Sequence, residues 1–409
     1  MQANGERLWA ELMAMAELGA TENGGSERLA LTERDKAARD LFAAWCLELK
    51  LDVHVDEIGS MFARRAGRNP DLPPIMVGSH LDTQPRGGRF DGVYGVLAAI
   101  EALRTIEEAG HGLQHPVEIV NWTNEEGSRF APATMGSGVF AGAWSLSEAL
   151  SRTDRNGISV ADALKAIDYV GTLKAKKRPI HAYLEAHIEQ GPVLEARGIP
   201  IGAVTGARGQ IWYRLTITGT EAHAGAAAMD LRRDALAAAA EVILAVETLA
   251  KGEHPDAVGT VGSISATPNS PNVVPGRVDL TVEFRAFEKD TLLRLDQGLK
   301  AWLKGTREQR GVAIDLEVSM RSDPVAFDAK LVAAIEQSAA DAGHEVMRMP
   351  SGAGHDACRI AAIAPAAMIF IPCVGGISHN EAEDITVDWA EAGASVLAGA
   401  ILAADATGF

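Results

Sequence analysis

The sequence predicts an α/β protein of two domains: a mixed, mainly parallel sheet with helices on both faces, interrupted by an inserted α+β domain with an antiparallel sheet. Three observations carry this. In the first half, the short apolar runs Pro74–Gly78 and Val117–Trp122 bracket a helical stretch from about Gly92 to Ala109, the strand–helix–strand order of a parallel sheet with crossover helices. Near Gly206 the pattern changes to strict period-two alternation, which marks strands covered on one face only. A chain of 409 residues also exceeds what one ordinary core encloses.

Taken in order, Thr32 opens a capping-box pattern (Thr-Glu-Arg-Asp) ahead of a helix running toward Leu49. The alternating strands begin with Ile211 to Thr218, where Ile211, Tyr213, Leu215 and Ile217 share one face. In Val278 to Arg285 the apolar face is Val278, Leu280, Val282 and Phe284, and Asp279, Thr281, Glu283 and Arg285 face the other way. Ile314, Leu316 and Val318 repeat the pattern, and helices over about Asp234–Lys251 and Thr291–Arg307 lie between the strands. From Pro324 the chain returns to helix and a buried strand, Ala366–Pro372. The expected division is therefore 1–210 with 324–409 as one discontinuous domain and 211–323 as the insert.

Apolar residues make up 47% and charged residues 23%, ordinary for a globular protein. A formal net charge of -17 argues against a nucleic-acid partner or an anionic membrane surface. The segment MQANGERLWAELMAMAEL carries charges among its apolar residues and has no signal-peptide core. No apolar run is expected to reach the ~20 residues of a membrane span; the longest candidate, Ala235 to Ala250, contains Glu241 and Glu247. Cys46, Cys358 and Cys373 are far apart and form no Cys-x-x-Cys pair, which fits a reducing cytoplasm better than a disulfide framework or a thiolate metal site.

The informative feature is where His, Asp and Glu fall. His80 and Asp82 follow the run Ile75–Val77, Asn124, Glu125 and Glu126 follow Val117–Trp122, and His379 follows Met368–Ile371 across a Gly-Gly turn. Ligands gather at the carboxyl ends of parallel strands, so three metal-competent clusters in that position point to one site. Singly, each has a plainer reading. His80-x-Asp82 also fits a surface loop, Glu125-Glu126 a solvated helix start, and Asp91 a turn or the N-cap of the following helix.

Several longer motifs resemble the hydantoinase/carbamoylase branch of the M20 metallopeptidase family. They are Gly78-Ser-His-Leu-Asp-Thr-Gln, Gly87-Gly-Arg-Phe-Asp-Gly-Val-Tyr-Gly-Val, Asn124-Glu-Glu-Gly-Ser-Arg-Phe and His187-Ile-Glu-Gln-Gly-Pro. Ala222-His-Ala-Gly, Pro271-Asn-Val-Val-Pro-Gly-Arg, Ser351-Gly-Ala-Gly-His-Asp-Ala and Gly376-Ile-Ser-His-Asn continue the series, in order, to about residue 380.

The resemblance implies two divalent ions (Zn, Mn, Co or Ni), one on His80 and His187, the other on Glu126 and His379, with Asp91 bridging. It alone selects His187 over His181, six residues earlier. Asp82 is expected to orient the His80 imidazole, and Glu125 to act as general base; a structural carboxylate is the plainer reading of Glu125. His223 matches a family histidine that reaches the partner subunit's active site and stabilises an oxyanion. Asn272 and Arg285 match a clamp for the substrate carboxylate, although Arg285 also fits a salt bridge to Glu283. Gln190 and the stretch Ser351–Asp356, with Gly354, are further candidates for substrate contact. One departure is Ala226-Ala227-Ala228, where family members often carry Thr-Thr-Pro.

The implied reaction is hydrolysis of an N-carbamoyl amino acid (L-α or β) to amino acid, carbon dioxide and ammonia by a water activated at the two-metal site. The implied assembly is a homodimer through the insert, acting as lid and dimerisation domain on a small carboxylate-bearing substrate. Allantoate hydrolysis, or aminoacylase or dipeptidase action, is the alternative within the family. Outside enzymes stands a catalytically silent ligand-binding homologue, which would be expected to have lost a ligand or the base.

Overall fold

A computed structural model describes residues 1–408. The chain divides into two compact units, one formed by Met1–Thr205 with the stretch from Ala326 onward, the other by Gly206–Val325.

The first unit is built on a nine-stranded sheet. Its four central strands, in the order Val117–Trp122, Ile75–His80, Ala182–Ile188 and Ala366–Ile371, are mutually parallel. Antiparallel strands flank them, Met61–Arg65 and Asp52–Val55 on one side and Ile201–Ala207 on the other. Every residue of the four central strands is buried, as expected of strands covered on both faces. Helix Val93–Glu108 packs on the strands beside Val387–Ala406, and the short helices Met135–Ala141 and Asp356–Ile360 form a separate packed pair. Parallel register brings the carboxyl ends of the strands to one edge: His80 pairs with Trp122, and His187 with Phe370.

Three expectations are corrected. Thr32 does cap helix Glu33–Glu48, accepting from the Asp35 backbone at 3.3 Å. The reciprocal half of a capping box is missing, because the Asp35 carboxylate binds Leu31 N at 2.7 Å and the buried Arg39 at 2.8 Å instead. A fully buried guanidinium needs a countercharge, and Arg39 lies one turn on. Second, a helix of membrane-spanning length and composition is present: Val387–Ala406, 20 residues, with 61% of its apolar window buried. It contacts helices Gly5–Ala16, Val93–Glu108 and Ala329–Asp341, so its apolar surface faces protein. Third, the plainer reading of Asp91 as an N-cap fails, since Gly92 is the N-cap of helix Val93–Glu108.

The second unit is a four-stranded antiparallel sheet ordered Ala313–Ser322, Gly209–Thr218, Arg277–Ala286, Ala257–Thr267. Helices Ala235–Gly252 and Lys289–Arg310 cover one face. Its core joins Ile211, Tyr213, Leu215 and Ile217 to Val278, Leu280, Val282 and Phe284, with Val242, Leu295 and Leu299 from the helices. The third alternating strand departs from its pattern: Ile314 is buried, yet Val318 is 48% exposed. The register with Gly209–Thr218 holds through Val318 and shifts only beyond it, on what is the edge strand of the sheet.

Candidate metal centre

The edge where the parallel strands end holds a group of buried imidazoles and carboxylates arranged around Asp91. Asp91 Oδ1 lies 3.2 Å from His187 Nε2 and 3.7 Å from His80 Nε2. Its other oxygen, Oδ2, lies 3.4 Å from His379 Nε2, and that nitrogen is 3.5 Å from Glu126 Oε2. One carboxylate is thus shared between two donor groups, His80–Asp91–His187 and Asp91–Glu126–His379.

Local structure fixes each donor. His80 and His187 are strand residues whose Nδ1 atoms each lie 2.9 Å from a backbone carbonyl, of Asp82 and Ile188 respectively. With Nδ1 held there, Nε2 is the nitrogen turned to Asp91 and the one available to a metal ion. Gly92, at φ +70°, is needed beside them: a Cβ would sit 2.2 Å from the His80 ring. His379 also takes a left-handed conformation, φ 54°, and is half exposed.

Burial lowers the His80 pKa to about 4 despite the nearby Asp91. Burial would also raise Asp91, but hydrogen bonds with His187 and His379 outweigh it and hold that carboxyl well below its usual range. Glu125 and Glu126 are held well above theirs, first by burial and then by surrounding carboxylates: Asp356 and Glu126 for Glu125, Asp91 and Asp82 for Glu126. Several buried carboxylates converging on three imidazole Nε2 atoms, with no thiolate, form a donor set suited to a divalent cation, whose charge would relieve their repulsion.

Glu125 lies beside this group, its Oε2 3.5 Å from His80 Nε2. Asp82 stands against the His80 ring, its Oδ1 3.9 Å from His80 Nδ1, and serves a second group as well. Its carbonyl meets the His80 imidazole, while its carboxylate turns to the neighbouring loop, Oδ1 accepting from Glu125 N at 3.1 Å and Oδ2 from Glu126 N at 3.2 Å. Asn124, at φ 55°, turns these two N–H groups out of the strand ladder, and a buried N–H must find an acceptor. Asp82→Ala would leave both N–H groups unpaired, at about 1–3 kcal/mol each. Urea unfolding of the metal-free variant should show this loss.

Gln190 donates to Asp91 Oδ2 at 2.7 Å, so its amide supports the central carboxylate. Gly354 is exposed, immediately before the buried His355, and a Cβ there would meet nothing. His181 sits away from the group, stacked on His115 and bonded to the Ala404 and Thr407 carbonyls.

In the second unit, His223 and Asn272 are neighbours: Ala222–His223 pairs with Val273–Val274, and Ala224 N donates to the Asn272 carbonyl at 3.1 Å. The exposed His223 accepts at Nδ1 from Gly225 N and Ala226 N, both at 3.1 Å, which leaves Nε2 as the protonated donor. Arg285 stands on a different strand with its Nε against Glu283, the salt bridge that was its plainer reading.

Sequence reasoning did not single out Glu185. Glu185 is fully buried, accepting from Ser79 Oγ at 2.7 Å and Ala357 N at 2.9 Å, and it joins His187 and His355 in a further cluster. A charged residue inside a strand buried on both faces is the available signal.

Comparison with known proteins gives the family. Residues 76–403 match the model of peptidase family M20/M25/M40. The chain belongs to this family. An N-carbamoyl-L-amino-acid amidohydrolase of Rhizobium meliloti is 47% identical over 98% of this chain and 96% of its own length. An allantoate amidohydrolase of Bacillus subtilis is 36% identical over 94% of this chain and 93% of its own. The crystal structure of a hydantoinase/carbamoylase-family amidase from Burkholderia multivorans superposes with a TM-score of 0.97 at 48% identity, covering 100% of this chain and 99% of that one. Within the M20 family this chain is thus an amidohydrolase of the hydantoinase/carbamoylase branch, a hydrolytic enzyme acting on amides.

Proposed function

We propose that the chain hydrolyses N-carbamoyl amino acids to the free amino acid, carbon dioxide and ammonia. The observation that carries the reading is the Asp91 carboxylate, one oxygen toward His80 and His187 and the other toward His379. His80, Asp91 and His187 would hold one divalent ion, and Asp91, Glu126 and His379 a second, with Zn, Mn, Co and Ni all compatible with the donors. Bound there, the ions supply Lewis-acid polarisation and a lowered pKa for water.

Glu125 is the base: its Oε2 takes a proton from the attacking water and passes it to the leaving nitrogen. Asp82 holds Glu125 and Glu126 by their backbone N–H groups. His223, with its Nε2–H as donor, would stabilise the developing oxyanion. Asn272 and Arg285 would take the substrate carboxylate, Arg285 exchanging Glu283 for it.

A homodimer through the second unit would bring His223 to a partner's site. Met229 and Leu231, each 78% exposed, and Leu236 and Leu244 are exposed apolar side chains within one stretch of that unit, which would suit a second copy.

The carbamoyl substrate is preferred over allantoate because the carbamoyl-named relative stands at 47% identity and the allantoate-named one at 36%. The phrases His80-Leu-Asp-Thr-Gln-Pro, Phe130-Ala-Pro and Met135-Gly-Ser-Gly-Val-Phe resemble those of L-carbamoylases and β-ureidopropionases more than those of allantoate amidohydrolases. The test is a matched panel of N-carbamoyl-L-amino acids, N-carbamoyl-β-alanine, allantoate and N-acetyl-L-amino acids, with ammonia and amino acid both measured. Release of both products from carbamoyl substrates is expected. Amino acid released only from the acetyl compounds would make the chain an aminoacylase.

A further inference from the structure

We infer that Glu383 is a positioning residue for this site, setting the Asp91 carboxylate and the His379 imidazole against each other. This rests on the reading of Asp91 and His379 as metal ligands. Glu383 is 1% exposed and lies four residues beyond His379. Its Oε1 accepts two backbone N–H groups, those of Phe90 and Asp91, both at 3.0 Å. The glycine loop is wrapped onto this carboxyl so closely that a Cβ on Gly88 would lie 2.0 Å from it.

The same segment holds the loop at two more points. Ser378 Oγ donates to Asp91 Oδ2 at 3.0 Å, and Asp384 pairs with Arg89 at 3.0 Å. Two loops distant in sequence, one carrying Asp91 and the other His379, are thereby fastened together, with Glu383 as the buried fastening. Asp82 plays the corresponding part for Glu125 and Glu126, again with a buried carboxylate accepting two consecutive N–H groups. A side chain that reaches both N–H groups fixes the Asp91 backbone, and hence where both carboxylate oxygens point.

The decisive property is reach rather than charge. Glu383→Gln keeps the Oε1 acceptor, Glu383→Asp withdraws it by one methylene, and Glu383→Ala removes it. Metal-free wild type and the three variants would be titrated with Mn²⁺ or Zn²⁺ against a chelating dye. The measurements would be made at a temperature where circular dichroism shows the metal-free protein folded. The expected result is near wild-type affinity for the Gln variant and roughly 10–100-fold weaker binding for the Asp and Ala variants. Should the Ala variant fail to fold, the Gln and Asp pair carries the comparison. Wild-type affinity in the folded Asp variant, or equal loss in Gln and Asp, would overturn the inference. A wild type that binds neither ion would instead refute the metal reading on which it rests.

Discussion

Glu125→Gln is expected to lower kcat on an N-carbamoyl amino acid by roughly 10²–10⁴-fold while leaving metal content unchanged. Gln matches Glu in size and keeps an oxygen near His80 Nε2, where Glu125 Oε2 lies at 3.5 Å. It cannot accept and return a proton. Asp82 holds residue 125 by its backbone, which the substitution does not alter, so the loop and the neighbouring Glu126 should stay in place. Steady-state kinetics beside elemental metal analysis checks this. A kcat within a few-fold of wild type would remove Glu125 from the proton path. Loss of metal together with activity would reassign it as a ligand.

Asp91→Ala should have the largest effect on the site as a whole. Asp91 is the one side chain common to both donor groups, so its loss takes the shared anion from His80 and His187 on one side and from Glu126 and His379 on the other. Metal affinity should fall by more than the roughly 10–100-fold that follows loss of a supporting partner, and turnover should fall with it. His379→Ala touches one group only and should leave an ion on His80, Asp91 and His187. Metal stoichiometry of the two purified variants distinguishes these outcomes. Equal retention in both would contradict a shared carboxylate.

Much of this was legible in the sequence because local pattern reports local structure. Period-two alternation at Ile211–Thr218 and Val278–Arg285 located strands of the second unit, and largely apolar runs at Ile75–Val77 and Val117–Trp122 located strands buried on both faces. Metal-competent residues at the ends of those runs pointed to the edge where the structure gathers His80, Asp91, Glu126 and His379. His187 was different. Nothing local separates it from His181, and only the longer motif, and then the fold, distinguishes the histidine beside Asp91 from the one stacked on His115.

Long-range pairing was not legible. Asp82 was expected to serve its near neighbour His80, and beyond that its carboxylate binds a loop 43 and 44 residues away. Glu383 bonds N–H groups 292 and 293 residues distant, which no window on the sequence would join. The helix Val387–Ala406 does not stand out in the sequence as a membrane-length segment because its alanines and glycines read as weakly apolar.

The most direct test of the central claim is stepwise addition of Mn, Co, Ni or Zn to metal-free protein, with ammonia release from an N-carbamoyl-L-amino acid followed at each step. Two donor groups sharing Asp91 predict no release without metal and a rise that reaches its plateau at two ions per chain for at least one of the four metals. Full release by the metal-free protein, or none with any of the four metals, would contradict it.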